Sequence, residues 1–342
     1  MTRHFAKFIL ALFAGVLLLP SFHAAKINWK EVARCGGGKL KIRVKVVDED
    51  GKPVPGAELF ARFDQFLSGK FKVEKGSTDR NGEKEFVEKT DEGAFGTVKK
   101  DGFYTSGYAV DLRKEQVDFR DGKWHPFPLE KTVVLKRKVR PVPMYVFPRQ
   151  ELEVPRLDED FGYDMEYGDF VEPVGDGKVA DFFVRFTCVD NDEELYRTIV
   201  LSFPNALDGA YLFEKDTHSE LASPYEADLE ADYRKEFIFT YQVNKKIVGN
   251  DNGRIEDKRM PEIQGLVLRT RTKVDANGTL MSAHYGKFYG QVVPLFPGFI
   301  ALNFGGITTY WNPVENDPSI EFGEKMPRSM QKGKKRPAGH LP

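Results

Sequence analysis

The sequence predicts an all-β protein, with an N-terminal antiparallel β-sandwich followed by a second β-rich domain. Apolar and polar residues alternate with the period of two that a half-buried strand requires. Turns rich in Gly, Pro and Asn separate these short alternating segments, and helical periodicity is missing. The 342 residues include 28 Phe and 13 Tyr, and aromatic residues favour pleated, half-buried surfaces. Together these observations predict short strands joined by tight turns.

The first strand is predicted from Leu40, because apolar residues at even positions alternate with basic residues at odd positions up to Val46. The turn formers of "DEDGKPVPG" end it, and alternation resumes from Leu59. Asn81-Gly82 has the sequence of a type I′ hairpin turn. Further strands are predicted at 95–99, 103–110 and 132–139. Such spacing is typical of a sandwich.

Three stretches in this region, "VKVVDEDGKPVPGAELFARF", "STDRNGEKEF" and "GTVKKDGFYTSGYAV", carry a family resemblance. Their order of strand, D-x-x-G-x-P-x-P-G-A turn, T-D-x-N-G turn and K-x-G-[FY]-Y strand resembles the carboxypeptidase regulatory-like domain. The resemblance covers about residues 38–140. It implies an immunoglobulin-like or prealbumin-like β-sandwich, related to starch-binding-like modules. It implies no catalytic residues, because the domain only accompanies the enzyme in carboxypeptidases.

Residues 136–155 contain four prolines and are predicted to be a semi-rigid connection. A second β-rich domain is expected at 145–323, and Asn277-Gly278 predicts a hairpin within it. "YEADLEADYRKEF", residues 225–237, is the one helix candidate. The basic segment 324–342 lacks apolar periodicity and is expected to be disordered. Strands of this second domain are predicted at 180–189, 196–203, 236–244, 264–274 and 280–289.

Three stretches of the second domain, "GYDMEYGDFVEPVGDGKVADF", "RTRTKVDANGTLMSAHYGKFYG" and "TYWNPVENDPSIEF", are similar to parts of secreted bacterial proteins of unknown function. Those proteins pair a carboxypeptidase regulatory-like domain with a C-terminal β-rich domain. The similarity implies domain layout and export, and it adds no chemistry.

Residues 1–25 have the pattern of a secretory signal peptide, in which Arg3 and Lys7 precede an apolar run of h-region length. Cleavage is expected near Ala24 or Ala25, with an uncleaved membrane anchor as the alternative. No later apolar run approaches spanning length. The sequence therefore predicts a secreted, periplasmic or cell-envelope protein without a membrane span after cleavage.

Cys35 and Cys188 are the two cysteines of the chain. In "ADFFVRFTCV", Cys188 alternates onto the same face as Phe182, Val184 and Phe186, which predicts a free thiol buried in a strand. A Cys35–Cys188 disulfide stays open as the alternative, because export makes one chemically possible.

The charges and motifs point away from several functions. With 51 basic and 52 acidic residues, the chain lacks the basic excess that nucleic-acid binding requires. Neither H-E-x-x-H nor G-x-S-x-G occurs, so no catalytic residue is assigned. The acidic loops fail the EF-hand template, so neither a metal site nor a cofactor is predicted. His125, His218 and His284 are interpreted as ordinary surface or packed histidines.

Aromatic residues near turns and strand ends suggest a carbohydrate ligand, since flat rings stack on sugar faces. The candidate residues share this placement and a competing explanation, which is packing in the core; they are Tyr104, Tyr108, Trp124 and Trp311. Arg269 and Arg271 alternate with apolar and Thr residues and are predicted to form a solvated strand face. The acids of "RLDEDFGYDMEYGDF" are weighed as a glycosidase pair.

These observations favour an exported non-enzymatic binding or structural protein, whose partner is a glycan or another component of the cell envelope. The enzyme alternative is a secreted hydrolase of polysaccharide or peptide with its site in the C-terminal domain. The third hypothesis is an envelope spacer or protein-interaction module without a small ligand.

Overall fold

A computed structural model describes residues 27, 31–32, 35–153, 156–190, 194–216, 218–244, 256–258, 264–289 and 301–326. The regular elements named in these ranges are 21 β-strands and one 3-10 turn at Phe66–Ser68. The all-β prediction is confirmed. The predicted signal peptide and most of the C-terminal segment lie outside the described residues.

The first nine strands build two sheets that face each other. One sheet has the order β4-β1-β8-β7, with β9 also paired to β1, and the other has the order β3-β2-β5-β6. β1 runs antiparallel to β4 but parallel to β8 and β9, so this sheet is mixed, whereas every pair in the facing sheet is antiparallel. These strands are β1 to β9 in chain order: Gly38–Asp48, Glu58–Gln65, Lys70–Ser77, Glu83–Thr90, Gly93–Lys99, Ser106–Asp111, Asp118–Arg120, Lys123–His125 and Leu129–Leu135.

Strand β1 buries its even-numbered side chains from Leu40 to Val46 completely, as its alternation predicts. On the opposite face, Arg43 donates to Glu85 at 2.7 Å and to Glu130 at 3.0 Å, which are on the two neighbouring strands. The strand therefore contributes to the core of the N-terminal sandwich with one face and forms cross-strand salt bridges with the other.

Asn81-Gly82 forms a turn, but the prediction of a hairpin is wrong. Gly82 has φ +74°, and its N–H donates to the carbonyl oxygen of Asp79 at 3.1 Å. The flanking strands β3 and β4 pair with β2 and β1 respectively, so they belong to different sheets. A local turn signal cannot distinguish a hairpin from a crossing between sheets, because both need the same tight backbone reversal.

The remaining strands build two six-stranded sheets. Their orders are β15-β18-β19-β20-β10-β21 and β12-β11-β13-β14-β16-β17. A shared core lies between them and includes Phe182, Ile199, Leu266 and Phe288. These strands are β10 to β21 in chain order: Val142–Glu153, Asp160–Asp164, Asp169–Phe170, Phe182–Asp190, Glu194–Ser202, Gly209–Glu214, Glu236–Asn244, Glu256–Lys258, Gln264–Val274, Leu280–Tyr289, Ala301–Asn312 and Phe322–Lys325.

Strand β10 corrects the prediction that residues 136–155 form a connection. β10 lies between β20, which is antiparallel to it, and β21, which is parallel to it. Its pairing shifts register between Phe147 and Gln150, around Pro148, because proline has no N–H to donate to the ladder. β21 likewise runs to Lys325, so the segment predicted to be disordered from 324 begins inside a strand.

The helix candidate at 225–237 is also wrong. The segment lies extended over a sheet, with isolated bridges joining Glu226 to Ser319 and Arg234 to Ala210. The Asp228 side chain accepts a hydrogen bond from the N–H of Glu230 at 3.0 Å, and such local bonds compete with helix formation. The hairpin at Asn277-Gly278 is confirmed, since it joins the paired strands β18 and β19.

This extended segment covers a second apolar layer on the outer face of the sheet containing β18 to β21. Ala227 and Ile320 come from the covering segments, while Met144, Val267 and Tyr285 come from the strands. One edge of this layer meets the N-terminal sandwich.

Both cysteines are free thiols, so no Cys35–Cys188 bridge forms. Cys188 packs against the core between the two C-terminal sheets, on the predicted face, but it is half-buried. Its partner in the neighbouring strand is Arg197.

Candidate functional site

The N-terminal sandwich and the C-terminal sheets meet at a buried carboxylate, Glu321, which is 1% exposed. It accepts hydrogen bonds from the hydroxyl of Tyr104 at 3.0 Å and from the backbone N–H groups of Val139 and Arg140 at 2.8 and 2.5 Å. Three donors satisfy the charge, as a buried carboxylate requires. The same carboxylate therefore ties the end of the sandwich, the connecting segment and β21 together.

A backbone contact extends this junction. The N–H of Gly107 donates to the carbonyl oxygen of His218 at 2.6 Å, and the N–H of Glu220 donates to Thr105 at 2.8 Å. Such pairing resembles a short piece of β-sheet between the two halves of the molecule. It holds the segment around residue 220 against the sandwich.

Beside these contacts lies a cavity of about 200 Å³, which we call the junction cavity. Both aromatic rings and charged groups line it. The sandwich and the connecting segment supply one wall, and the outer face of the C-terminal sheet supplies the other. Its lining residues are Tyr104, Lys138, Pro141, Glu220, Leu221, Lys287, Tyr289, Tyr310, Phe322 and Gly323.

Lys287 is the unusual residue of this cavity, since its side chain is only 1% exposed. It lies on β19 directly opposite Tyr310 of β20. Its Nζ donates to the hydroxyl of Ser223 at 2.7 Å and lies 5.1 and 5.0 Å from the ring centres of Tyr289 and Tyr310. A lysine is rarely buried to this degree.

Burial lowers the pKa of Lys287 to about 7, because removal from water penalises the ammonium form. The nearby Lys136 ammonium lowers this pKa further, while the Glu321 carboxylate opposes the shift. Near neutral pH the Lys287 amine is therefore divided between its charged and neutral forms. Strongly shifted groups in cavities are candidates for functional residues.

The four aromatic residues proposed from sequence lie in four different places. Trp124 is fully buried in the core of the sandwich, and its indole N–H donates to Thr90 at 2.9 Å. Trp311 is 2% exposed and lies in the core between the C-terminal sheets. Both indoles have little surface to offer a sugar, so packing accounts for them.

The two tyrosines lie at cavities, although they are only 5% and 6% exposed. Tyr104 lines the junction cavity, while Tyr108 lines a separate one of about 260 Å³ and donates to the carbonyl oxygen of Phe60. Of the four candidates, the structure brings Tyr104 alone to the junction cavity. Sequence reasoning missed Lys287, Tyr289 and Tyr310; the alternation of "SAHYGKFY" was the available signal, since it places Lys287 on the face of Tyr285 and Tyr289.

The expectation of a solvated arginine face on β18 is wrong. Arg269 donates to the carbonyl oxygen of Leu207 at 2.8 Å. Arg271 adopts φ +53° at a register shift in the strand. Its guanidinium lies 4.3 Å from the Trp311 ring and binds three carboxylates at 2.9 to 3.0 Å, those of Asp164, Glu166 and Asp181.

This cluster includes two acids of the stretch that was considered for a glycosidase pair, Asp164 and Glu166; its third acid, Asp181, lies outside that stretch. Asp164 and Asp181 are fully buried, and both bind the one guanidinium of Arg271. Burial raises the pKa of Asp181 to about 6, although Arg271 counteracts it. Across the described ranges, no group of His, Cys, Asp and Glu is arranged to hold a metal ion.

No protein-family model matches the chain, and no curated protein matches its sequence. Among solved structures, 3-chlorocatechol 1,2-dioxygenase from Rhodococcus opacus 1CP is similar at 13% identity and a TM-score of 0.24, over 30% of this chain and 61% of that chain. The chain thus spans less than two thirds of that protein.

Two further structures are similar at the same low level. A DUF3823 family protein from Parabacteroides merdae is 7% identical with a TM-score of 0.20, over 84% of this chain and all of that one. The shaft pilin SpaA from Lactobacillus rhamnosus GG is 13% identical with a TM-score of 0.21, over 51% of this chain and 90% of that chain. At these values the similarities support no inference about activity, ligand or partner.

The part of the chain that the structure describes contains no helix with the length and hydropathy needed to cross a bilayer.

Proposed function

We propose that this chain is an exported, non-enzymatic binding protein of the cell envelope, and that it holds a small saccharide in the junction cavity. The observation that carries the proposal is the composition of this cavity. Tyrosine and phenylalanine rings line it together with Lys138, Glu220 and Lys287. A sugar offers apolar C–H faces and polar hydroxyl edges, and aromatic walls with a few polar groups suit both.

The size of the cavity supports a small ligand. At about 200 Å³ it is below the range of roughly 300–1,000 Å³ that is typical of pockets for drug-sized molecules. A single sugar unit or the end of a glycan chain is therefore the expected occupant.

The proposed domain organisation has its boundary near residue 141, between the sandwich and the start of β10. Residues 38–140 would be the carboxypeptidase regulatory-like domain, which the turn motifs and the two facing sheets support. The C-terminal β-rich domain would follow to about residue 323. Residues 1–25 would be the signal peptide.

Export is tested by the mature N-terminus. We expect mass spectrometry of protein from the native host to find a chain that begins between residues 24 and 27. An intact chain that starts at Met1 in the cytoplasm would refute export.

Saccharide binding is tested with a panel of methyl glycosides, using the change in protein NMR signals on titration. We expect a binding glycoside to perturb signals around Tyr310 and Tyr289. Tyr310→Ala should weaken its binding at least tenfold. Phe71→Ala is the matched control, because Phe71 is an exposed aromatic residue on β3. Equal affinity of the Tyr310 variant and the wild type, or no binding across the panel, would contradict the proposal.

A spacer role is the second candidate, and the tied junction is the observation that favours it. Glu321 and the Gly107–His218 contact would hold the two halves as one body without any ligand. A blank glycoside panel with an intact junction would favour this role.

A further inference from the structure

We propose that Lys287 binds a small hydroxyaldehyde covalently and reversibly, as an imine inside the junction cavity. Open-chain reducing sugars belong to this class of compounds. The inference rests on the proposed function to the extent that both place the ligand in the same cavity. It adds a covalent step, in which the amine of Lys287 selects ligands that carry an aldehyde.

The surroundings of Lys287 resemble those of a nucleophile more than those of a structural cation. In the described part of the chain its Nζ has a hydroxyl partner, Ser223, and no carboxylate at salt-bridge distance; Glu321 acts on it only from farther away. An ammonium group that is buried without a paired anion is costly. The neutral amine therefore suits this position better than the ammonium does.

The charged groups facing Lys287 act in opposite directions. Lys136 disfavours the ammonium, and Glu321 favours it. Burial is the largest effect and brings the pKa of Lys287 to about 7. Removal from water and a neighbouring cation are two usual ways in which a lysine is activated to attack carbonyl groups.

The chemical step is balanced without a further reactant. The lone pair of the neutral Nζ attacks the carbonyl carbon of the aldehyde, and the π electrons move to the oxygen. The nitrogen gives up both of its protons, the oxygen leaves with them as water, and a C=N bond remains. Addition of water reverses the reaction and releases the aldehyde.

The rest of the cavity selects the ligand. Tyr289 and Tyr310 flank the Nζ at about 5 Å, so a planar imine would lie between aromatic rings. Glu220 and Lys138 line the same cavity and provide an acceptor and a donor for hydroxyl groups. A short polyhydroxylated aldehyde fits this combination better than an apolar aldehyde does.

The experiment uses the full chain, D-glyceraldehyde and cyanoborohydride, which reduces an imine to a stable amine. Peptide mapping by mass spectrometry then gives the labelling rate of each lysine. At pH 7 we expect Lys287 to be labelled at least tenfold faster than Lys138, an exposed residue of the same cavity. Its rate should level off above about pH 7, whereas exposed lysines, with pKa values of about 10.4, should keep accelerating up to about pH 10. Labelling of Lys287 no faster than that of Lys138 would overturn the inference.

Two variants and a second probe separate this inference from the proposed function. Lys287→Met should abolish the selective label, and Lys72→Met, at an exposed lysine of β3 outside the cavity, should retain it. If Lys287→Met does not fold, the labelling map of the wild type decides. Methyl glycosides cannot open to an aldehyde, so their binding without labelling at Lys287 would refute the imine and leave the saccharide proposal standing. Labelling at Lys287 without any glycoside binding would support the imine and refute the saccharide proposal. Absence of both would refute both.

Discussion

At the scale of single residues, burial sets the chemistry of Lys287. The side chain lies on a strand whose outer face packs against tyrosines, and its Nζ bonds Ser223. The same burial that lowers the pKa of Lys287 also lowers the free energy of unfolding while the amine is charged. Stability and reactivity at this position are therefore linked and can be measured together.

The first prediction concerns the pH dependence of stability. The pKa of Lys287 is about 7 in the folded chain and about 10.4 in an unfolded one. Between these values the unfolded state binds more protons, so the contribution of this group to stability rises with pH from about 7 to about 10. The contribution of Lys287 to stability is most unfavourable below pH 7, where the amine is charged in both the folded and the unfolded state.

Urea unfolding at several pH values tests this prediction. Relative to Lys287→Met, the wild type should gain roughly a few kcal/mol of unfolding free energy between pH 7 and pH 10, since one unit of pKa shift is worth about 1.4 kcal/mol. Lys138→Met should instead follow the wild type at every pH. Parallel curves for the wild type and Lys287→Met would show that the amine titrates normally.

The second prediction concerns the thiols. Cys188 packs against the C-terminal core while half-buried, and Cys35 is exposed. Cys188→Ser should cost about 1 kcal/mol of unfolding free energy, because it places a hydroxyl against apolar side chains. Cys35→Ser should cost almost nothing, and the two effects should add. Equal losses in both single variants, with no further loss in the double variant under non-reducing conditions, would instead mean that a disulfide exists.

At the scale of elements, strand pairing rather than composition decides which segments are regular. β10 contains two prolines, yet it pairs on both sides because the register shift near Pro148 absorbs the missing N–H. Glycine is needed where two strands approach too closely for a side chain. Gly93 opens β5 with φ +145°, and a Cβ there would lie 1.9 Å from the carbonyl oxygen of Val110.

The third prediction follows from this close approach. Gly93→Ala should destabilise the sandwich by at least about 2 kcal/mol, because backbone must move and the φ value is strained for an L side chain. Gly102→Ala is the control, since its φ is +78° but nothing lies within 4 Å of its Cβ position. Gly102→Ala should lower the free energy of unfolding by about 1 kcal/mol, because of the positive φ alone. Thermal or urea unfolding measures both, and equal costs would disprove the steric argument.

At the scale of the whole molecule, one buried carboxylate connects the two halves. Glu321 accepts from a tyrosine of the sandwich and from two N–H groups of the connecting segment. Burial and the bond to this carboxylate both raise the pKa of Tyr104, so the phenol stays protonated and continues to donate.

The fourth prediction tests this connection. Glu321→Ala should cost about 2–4 kcal/mol, because three donors lose a charged acceptor in a buried position. Tyr104→Phe should cost about 1–2 kcal/mol, and the double variant should lose less than the sum of the two, since the residues share one bond. Glu324→Ala, at an exposed position of β21, should be close to neutral. Additive losses would mean that the two side chains do not interact in solution.

The sequence by itself determined the all-β class, most of the strands and the core of β1. Alternation and turn chemistry are local, so a single chain segment carries them. It also placed Tyr104 among the candidates and predicted the hairpin at Asn277-Gly278. The strands of 264–274 and 280–289 coincide with the structure to the residue.

Only the tertiary structure decided which strands pair, where the arginines point and which residues surround the cavity. The Asn81-Gly82 turn crosses between sheets, and Arg271 turns inward toward carboxylates from distant segments. Lys287, Ser223 and Tyr104 are far apart in sequence and meet only at the junction. A pKa set by burial depends on everything packed around the group, and that surrounding set exists only once the strands have paired.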